Sequence, residues 1–200
     1  EADDVIGTLA KKAEIEGFQV YMMTSDKDYG QLVSENIFMY KPGKFGQKAE
    51  VVGVKEICEK YGIAEPEELI DILGLWGDAS DNIPGVPNVG EVKAKKLIAQ
   101  FHSIENLYRN IDQVDNQKLK ETLIENQDKA MMSKSLATIM LDVPVEYDFD
   151  QMKMEQPDVE KLKKLFNELE FRSIAQRIFT DLSVQSAPKT SAPDLFTPVE

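Results

Sequence analysis

Two hundred residues with 42% apolar side chains suffice for one large domain or two small ones, and no stretch has the length and apolarity of a membrane span. A net charge of −13 argues against a broad cationic face for a polyanion, so any nucleic-acid surface has to be local, with carboxylates partly neutralised by divalent ions. One cysteine, Cys58, rules out an internal disulfide and fits a reducing, cytoplasmic compartment, while the single His102 argues against imidazole catalysis or a zinc site.

The chain opens Glu1-Ala2-Asp3-Asp4, neither a signal peptide nor an initiator methionine, and is expected to be a piece of a longer protein. Apolar residues then recur at helical spacing as far as Ile15, and Gly17 supplies the stop. Helix capping explains one acid at that N-terminus but not Glu1, Asp3 and Asp4 together, which repel one another unless a cation or solvent separates them. Phe18 to Thr24 reads as a buried parallel strand that delivers Asp26 and Asp28 to the carboxyl edge of a sheet, where open α/β folds bind ligands. Tyr29 to Val33 is expected to be helical, Ile37 to Tyr40 and Glu50 to Val52 to be short strands, and Lys41 to Gly46 a turn.

Helical patterns dominate afterwards. They cover Val54 to Tyr61, a segment opened by Pro66 and ending at Trp76, Glu91 to Gln100, Ile104 to Tyr108, Lys118 to Glu125, Asp128 to Met140, Asp158 to Leu169 and Ser173 to Phe179. Val143 to Tyr147 reads as an extended bridge, and the Ser/Ala/Pro-rich text after Asp181 as a linker. Cys58 and Trp76 are expected to pack in the core and His102 to end a helix at the surface; Lys161, Lys163 and Lys164 form a solvated face. The chain has neither an internal repeat nor a glycine-rich nucleotide-binding loop.

Two chemistries are fused between Gly77 and Ile98. Asp78 and Asp81 are spaced so that both carboxylates can face one hard cation. Behind them Gly85 and Gly90 bracket Val86-Pro87-Asn88-Val89, a hairpin expected to leave backbone amides uncovered for phosphate oxygens. The next helix is expected to pack Val92, Leu97, Ile98 and Phe101 and carries Lys93, Lys95 and Lys96 around its outside.

The ordered set Glu1-Ala2-Asp3-Asp4, Thr24-Ser25-Asp26-Lys27-Asp28 and Gly77-Asp78-Ala79-Ser80-Asp81-Asn82, followed by Pro84-Gly85-Val86, resembles the 5′-nuclease domains of bacterial DNA polymerases I, in the flap-endonuclease superfamily. The resemblance runs to about Leu182. It implies an α/β remnant, a partial parallel sheet with flanking helices, in residues 1–65. A mostly α-helical helix-hairpin-helix region follows in residues 66–182, with a linker in 183–200. By the same resemblance Glu1, Asp3, Asp4, Asp26, Asp28, Asp78 and Asp81 hold two divalent ions, Mg²⁺ or Mn²⁺, with Asp3, Asp26 and Asp78 the acids assigned to catalysis. The hairpin residues Gly85, Val86, Asn88, Val89 and Gly90, with Lys93, Lys95 and Lys96, would grip duplex DNA that carries a 5′ end or flap, K⁺ bridging carbonyls and phosphate. The implied reaction is two-metal phosphodiester hydrolysis by a monomer, without sequence preference.

Family members carry further ligands and a strand-threading arch upstream of the first acidic motif, so this chain by itself is expected to be nearly inactive and to have an unpaired sheet edge. Other readings are a non-catalytic duplex-binding module whose acids only cap helices, a phospho-acceptor domain and a standalone nuclease of the same superfamily.

Overall fold

The computed structural model describes residues 1–43 and 48–185, with residues 181–185 described through their backbone alone. Residues 1–145 form one compact unit and residues from 146 onward a second.

Helix α1 (Ala2–Ile15) buries Thr8, Ala10 and Ala13 on one side, and these small side chains let the chain return close beside it. Thr8 Oγ1 donates to the Met140 carbonyl and accepts from the Val143 amide, at 3.2 Å in each case, which ties α1 to the segment after the last helix of this unit. Strand β1 (Val20–Met23) runs parallel to β2 (Ile37–Lys41), with Met22 beside Met39. Strand β3 (Glu50–Val52) is antiparallel to β2, giving a three-stranded sheet with β1 at one edge. The α/β layer with a small partial sheet is therefore present.

Strand β1 is not the buried strand its apolar run suggests. Met22 turns into the core with Val20 partly buried beside it, while Tyr21 and Met23 are exposed on the other face and Tyr21 stacks on Phe38 at 5.3 Å. An apolar run has no alternation to show which face is open, so sequence alone cannot distinguish this edge strand from a central one. The helix expected from Tyr29 is instead a 3₁₀ turn over Asp28–Leu32. Part of the turn expected from Lys41 to Gly46 lies outside the described residues.

The helical layer begins with α2 (Val54–Tyr61), whose Glu56 carboxylate accepts the Gly53 amide at 2.8 Å. A 3₁₀ turn opened by Pro66 then feeds α3 (Leu69–Trp76), the central helix, in which Leu69, Ile72, Leu73 and Leu75 are all fully enclosed. Around it lie α4 (Glu91–Phe101), α5 (Ile104–Arg109), α6 (Gln117–Glu125) and α7 (Gln127–Ala137). Asp71 of α3 accepts from the Ile104 amide at 2.8 Å and from Lys134 Nζ of α7 at 2.6 Å, and Lys134 also reaches Glu105 of α5 at 2.8 Å. Cys58 and Trp76 are partly buried against the core, and His102 ends α4 in the left-handed region at φ 64.

Helix α7 stops three residues before the expected Met140. The Gln31 side-chain oxygen takes the Ile139 amide at 3.0 Å and Asp4 Oδ1 takes the Met140 amide at 2.8 Å, so these donors leave the helical ladder for distant acceptors. In the second unit, α8 (Val159–Glu168) is capped by Asp158, whose Oδ1 accepts the Lys161 amide at 3.0 Å. Helix α9 (Arg172–Gln185) runs beyond the expected Phe179, and the rest of the expected linker, 186–200, lies outside the described residues.

Candidate metal centre and duplex-binding hairpin

The loop after α3 is closed by its own backbone. Asp78 and Ile83 exchange N–H···O bonds of 2.9 and 2.7 Å, which folds Asp78 to Ile83 into a tight excursion. Gly77 (φ 79) and Gly85 (φ 59) lie back to back where the loop begins and ends. Within the excursion Asp78 Oδ1 accepts the Ser80 amide at 2.9 Å and the Ser80 hydroxyl at 2.5 Å, which fixes the carboxylate's direction.

Asp28 begins the 3₁₀ turn beyond β1 and comes up against this loop. Carboxylate oxygens of Asp28, Asp78 and Asp81 all lie within 4.8 Å of one another. Asp28, Asp81, Glu1, Asp3 and Asp4 line one cavity of about 140 Å³, together with Ile83 and the 136–139 segment. Six of the seven expected acids are thereby gathered from three distant stretches. Asp26 stands apart as an exposed side chain whose Oδ1 accepts the Asp28 amide at 3.1 Å, an Asx turn that leads the chain into Asp28.

The electrostatics of the cluster are uneven. Burial pushes the Asp28 carboxyl up to about 6 against the pull of Lys27, and the negative charges of Asp26 and Asp78 push in the same upward direction. Its Oδ1 is buried and accepts no hydrogen bond. Burial would raise Asp78 too, but hydrogen bonds from Lys27 and Ser80 outweigh it and hold that carboxyl below its ordinary value. The donor set is entirely carboxylate oxygen with one acceptor unsatisfied, which suits a hard divalent cation.

Positioning residues that no sequence motif marks complete the site. Tyr29 Oη donates to Asp3 Oδ1 at 2.7 Å, and burial together with that carboxylate drives the phenol above its ordinary range. Gln31 is buried, and its amide donates to the Asp28 carbonyl at 3.1 Å and to the Ala137 carbonyl at 2.9 Å. The turn carrying Asp28 is thus locked to the cavity wall. The only local signal for Gln31 is its place three residues after Asp28, one 3₁₀ turn on.

The hairpin differs from the expected row of free amides. Gly85 N donates to Ser133 Oγ at 3.0 Å, Val86 N to the Leu75 carbonyl at 2.8 Å, and Val89 N to the Val86 carbonyl at 3.1 Å. Val86 and Val89 side chains are buried. These three residues shape the hairpin from inside, and Asn88 (φ 63) and Gly90 remain on its exposed side. Lys93 Nζ turns back to the Asn88 carbonyl at 2.7 Å. Lys95 does not face outward as expected, because it pairs with Glu91 at 2.6 Å, donates to the Lys60 carbonyl at 3.1 Å and lies over the Tyr61 ring. Lys96 is exposed.

A carboxylate cluster at the end of a strand, abutting a hairpin between two helices, defines a class, and the chain belongs to it: the 5′-3′ exonuclease family. Residues 1–62 match that family's N-terminal resolvase-like domain and residues 64–160 its C-terminal SAM fold. Among individual proteins, the chain is 43% identical to the DNA polymerase I of Bacillus caldotenax over 188 residues, 94% of this chain and 21% of that one. It is 45% identical to the DNA polymerase I of Bacillus subtilis (strain 168) over 181 residues, 90% of this chain and 20% of the relative. The chain thus spans about a fifth of the length of these relatives. Its fold is similar to that of T5 5′-exonuclease with bound divalent zinc, with a TM-score of 0.58 and 21% identity over 68% of this chain and 49% of the other. The catalytic core of Rad2 in complex with DNA substrate gives a TM-score of 0.55 and 19% identity over 81% and 56%. Among the described residues no helix is long and apolar enough to cross a membrane.

Proposed function

We propose that this chain supplies the acid cluster and the duplex grip of a 5′-3′ nuclease of the DNA polymerase I type, acting as a monomer on duplex DNA with a 5′ end or flap. The observation that carries the proposal is the convergence of Asp28, Asp78 and Asp81 within 4.8 Å, beside a cavity that also takes Glu1, Asp3 and Asp4. In this reading residues 1–65 bring the first two acid groups, and residues 66–182 bring the third together with the hairpin.

Asp28, Asp78 and Asp81 would hold one divalent ion, and Glu1, Asp3 and Asp4 would border a second across the same cavity, with Asp26 contributing through water. Bound there, Mg²⁺ or Mn²⁺ supplies Lewis-acid stabilisation of phosphoryl charge and an acidified water. The protein's own part is orientation: Ser80 aims Asp78, Tyr29 holds Asp3, and Gln31 fixes the backbone of Asp28. At the hairpin, Lys93 and Lys96 would present positive charge to a phosphate backbone, and a K⁺ ion would have to replace the Lys93 ammonium at the Asn88 carbonyl. Such groups recognise shape and charge rather than bases.

Mn²⁺ titration tests the metal reading. Because only the folded chain gathers the ligands, about a hundredfold excess of ion over its dissociation constant should add ~2.7 kcal/mol to stability, read as a higher thermal midpoint. Asp78→Ala should lose that gain. A parent chain whose midpoint ignores Mn²⁺ would leave only a duplex-binding module.

The duplex grip has its own test. Replacing Lys93 and Lys96 by Gln should weaken binding equally for unrelated duplex sequences, and should lower the slope of log affinity against log salt by ~0.9 for each phosphate no longer neutralised. Lys95→Gln should leave that slope nearly unchanged, since its ammonium is engaged with Glu91 and α2.

A further inference from the structure

The acid cluster already contains a cation of its own. Lys27 lies between Asp26 and Asp28 in sequence, and its ammonium donates to Asp78 Oδ2 while standing 3.4 Å from Asp28 Oδ1. It therefore bridges two of the three carboxylates that converge within 4.8 Å. Without it, three acids with two buried members would face one another uncompensated, an arrangement that burial makes expensive. The bridge is nonetheless incomplete, because Asp28 Oδ1 gains proximity to the ammonium but no hydrogen bond. A divalent ion placed to coordinate Asp28 and Asp78 would need the space and the charge balance that Lys27 now occupies.

The lysine also has somewhere else to go. Its ammonium is 5.8 Å from the centre of the Trp76 ring, within cation–π range, and Trp76 is half-buried at the end of α3. The side chain is 28% exposed, so its route outward is open.

We propose that Lys27 is a resident counter-ion of the acid cluster, which holds Asp28 and Asp78 together in the metal-free protein and is displaced toward Trp76 and solvent when a divalent cation enters. This rests on the reading of the cluster as a metal site, and it assigns the lysine a role in that site's occupancy. Metal entry is then an exchange of one cation for another, so the carboxylates keep their arrangement throughout.

The full 200-residue chain, titrated with Mg²⁺ and separately with Ca²⁺, gives the test. Trp76 is the only tryptophan, so intrinsic fluorescence reports the lysine's move directly. In the parent chain the signal should change in step with metal binding measured by calorimetry. In Lys27→Met the competitor is gone, and since a neighbouring opposite charge typically shifts a carboxylate's proton affinity by about 1–3 pKa units, metal affinity should rise at least ~10-fold. The Trp76 response should shrink, and the metal-free thermal midpoint should fall. Lys27→Arg, which keeps the charge, should retain weak, parent-like affinity.

A second measurement needs no variant. Reductive methylation of the parent chain, read by mass spectrometry, should label Lys27 more readily with Ca²⁺ than without, relative to Lys96. If the parent binds metal while Lys27→Met binds it no more tightly, or if Lys27 labelling does not rise with Ca²⁺, the exchange is overturned and the metal reading stands. A parent chain that binds neither ion overturns both.

Discussion

Gly85→Ala is expected to destabilise the chain by roughly 3–5 kcal/mol and to lower its thermal midpoint by about 10 °C, in the range of severe core substitutions. Gly85 has φ 59, where an L side chain is strained, and a Cβ built on it would lie 2.5 Å from Gly77 N and from the Trp76 carbonyl carbon. Those neighbours are backbone at the end of α3, the most enclosed helix of the unit, and cannot move aside as a flexible side chain would. Gly77→Ala should behave alike, since its φ 79 and ψ 173 belong to a region almost reserved for glycine and its Cβ would meet the Ile83 carbonyl oxygen at 2.6 Å. Gly90→Ala is the control. Nothing lies within 4 Å of a Cβ there, so the destabilisation should stay below about 1 kcal/mol, the scale of a weakened helix cap. Equilibrium denaturation of the three variants checks this, and equal destabilisation at Gly85 and Gly90 would contradict the close-approach argument.

That contrast shows what could and could not be read from the chain. Sequence treats Gly85 and Gly90 as matching brackets of one hairpin, yet one is a packing residue under α3 and the other caps α4. The helices were legible because apolar spacing, Pro66 and the glycine stop at Gly62 are local signals. The acids were legible as types and positions. Their convergence was not, because it depends on the self-closed loop after Gly77 reaching the turn after β1, a meeting of residues some fifty positions apart. Non-local hydrogen bonds account for the other departures. Ser133 and the Leu75 carbonyl consume amides that the glycine spacing suggests are free, and Gln31 and Asp4 consume those that would have extended α7. Lys27 was visible as a basic residue between two acids, but only the fold turns its ammonium across to Asp78.

Asp28→Asn is expected to make the metal-free chain more stable at neutral pH while removing most of its response to divalent ions. The Asp28 carboxyl titrates near 6 in the folded chain, against an ordinary value of 3.8, because burial disfavours its charge and Asp26 and Asp78 add to that. The folded state therefore holds a proton that the unfolded state has already released between those two values. Stability contributed by this group is fully present below about pH 4 and is lost as pH rises through about 6, after which the penalty stays constant. At one pKa unit per ~1.4 kcal/mol the full penalty would approach about 3 kcal/mol, with the pull of Lys27 already contained in it; solvent screening at this partly open site reduces the expected gain to roughly 1–2 kcal/mol. The gain should be near zero at about pH 4 and complete by about pH 7, which denaturation at several pH values would trace. In the parent chain, affinity for Mg²⁺ should climb over the same interval, since the ion requires the ionised carboxylate. The variant should bind weakly and without that rise. A variant no more stable than the parent at neutral pH, or one whose metal response persists unchanged, would show that Asp28 is not a strained ligand kept charged for a cation.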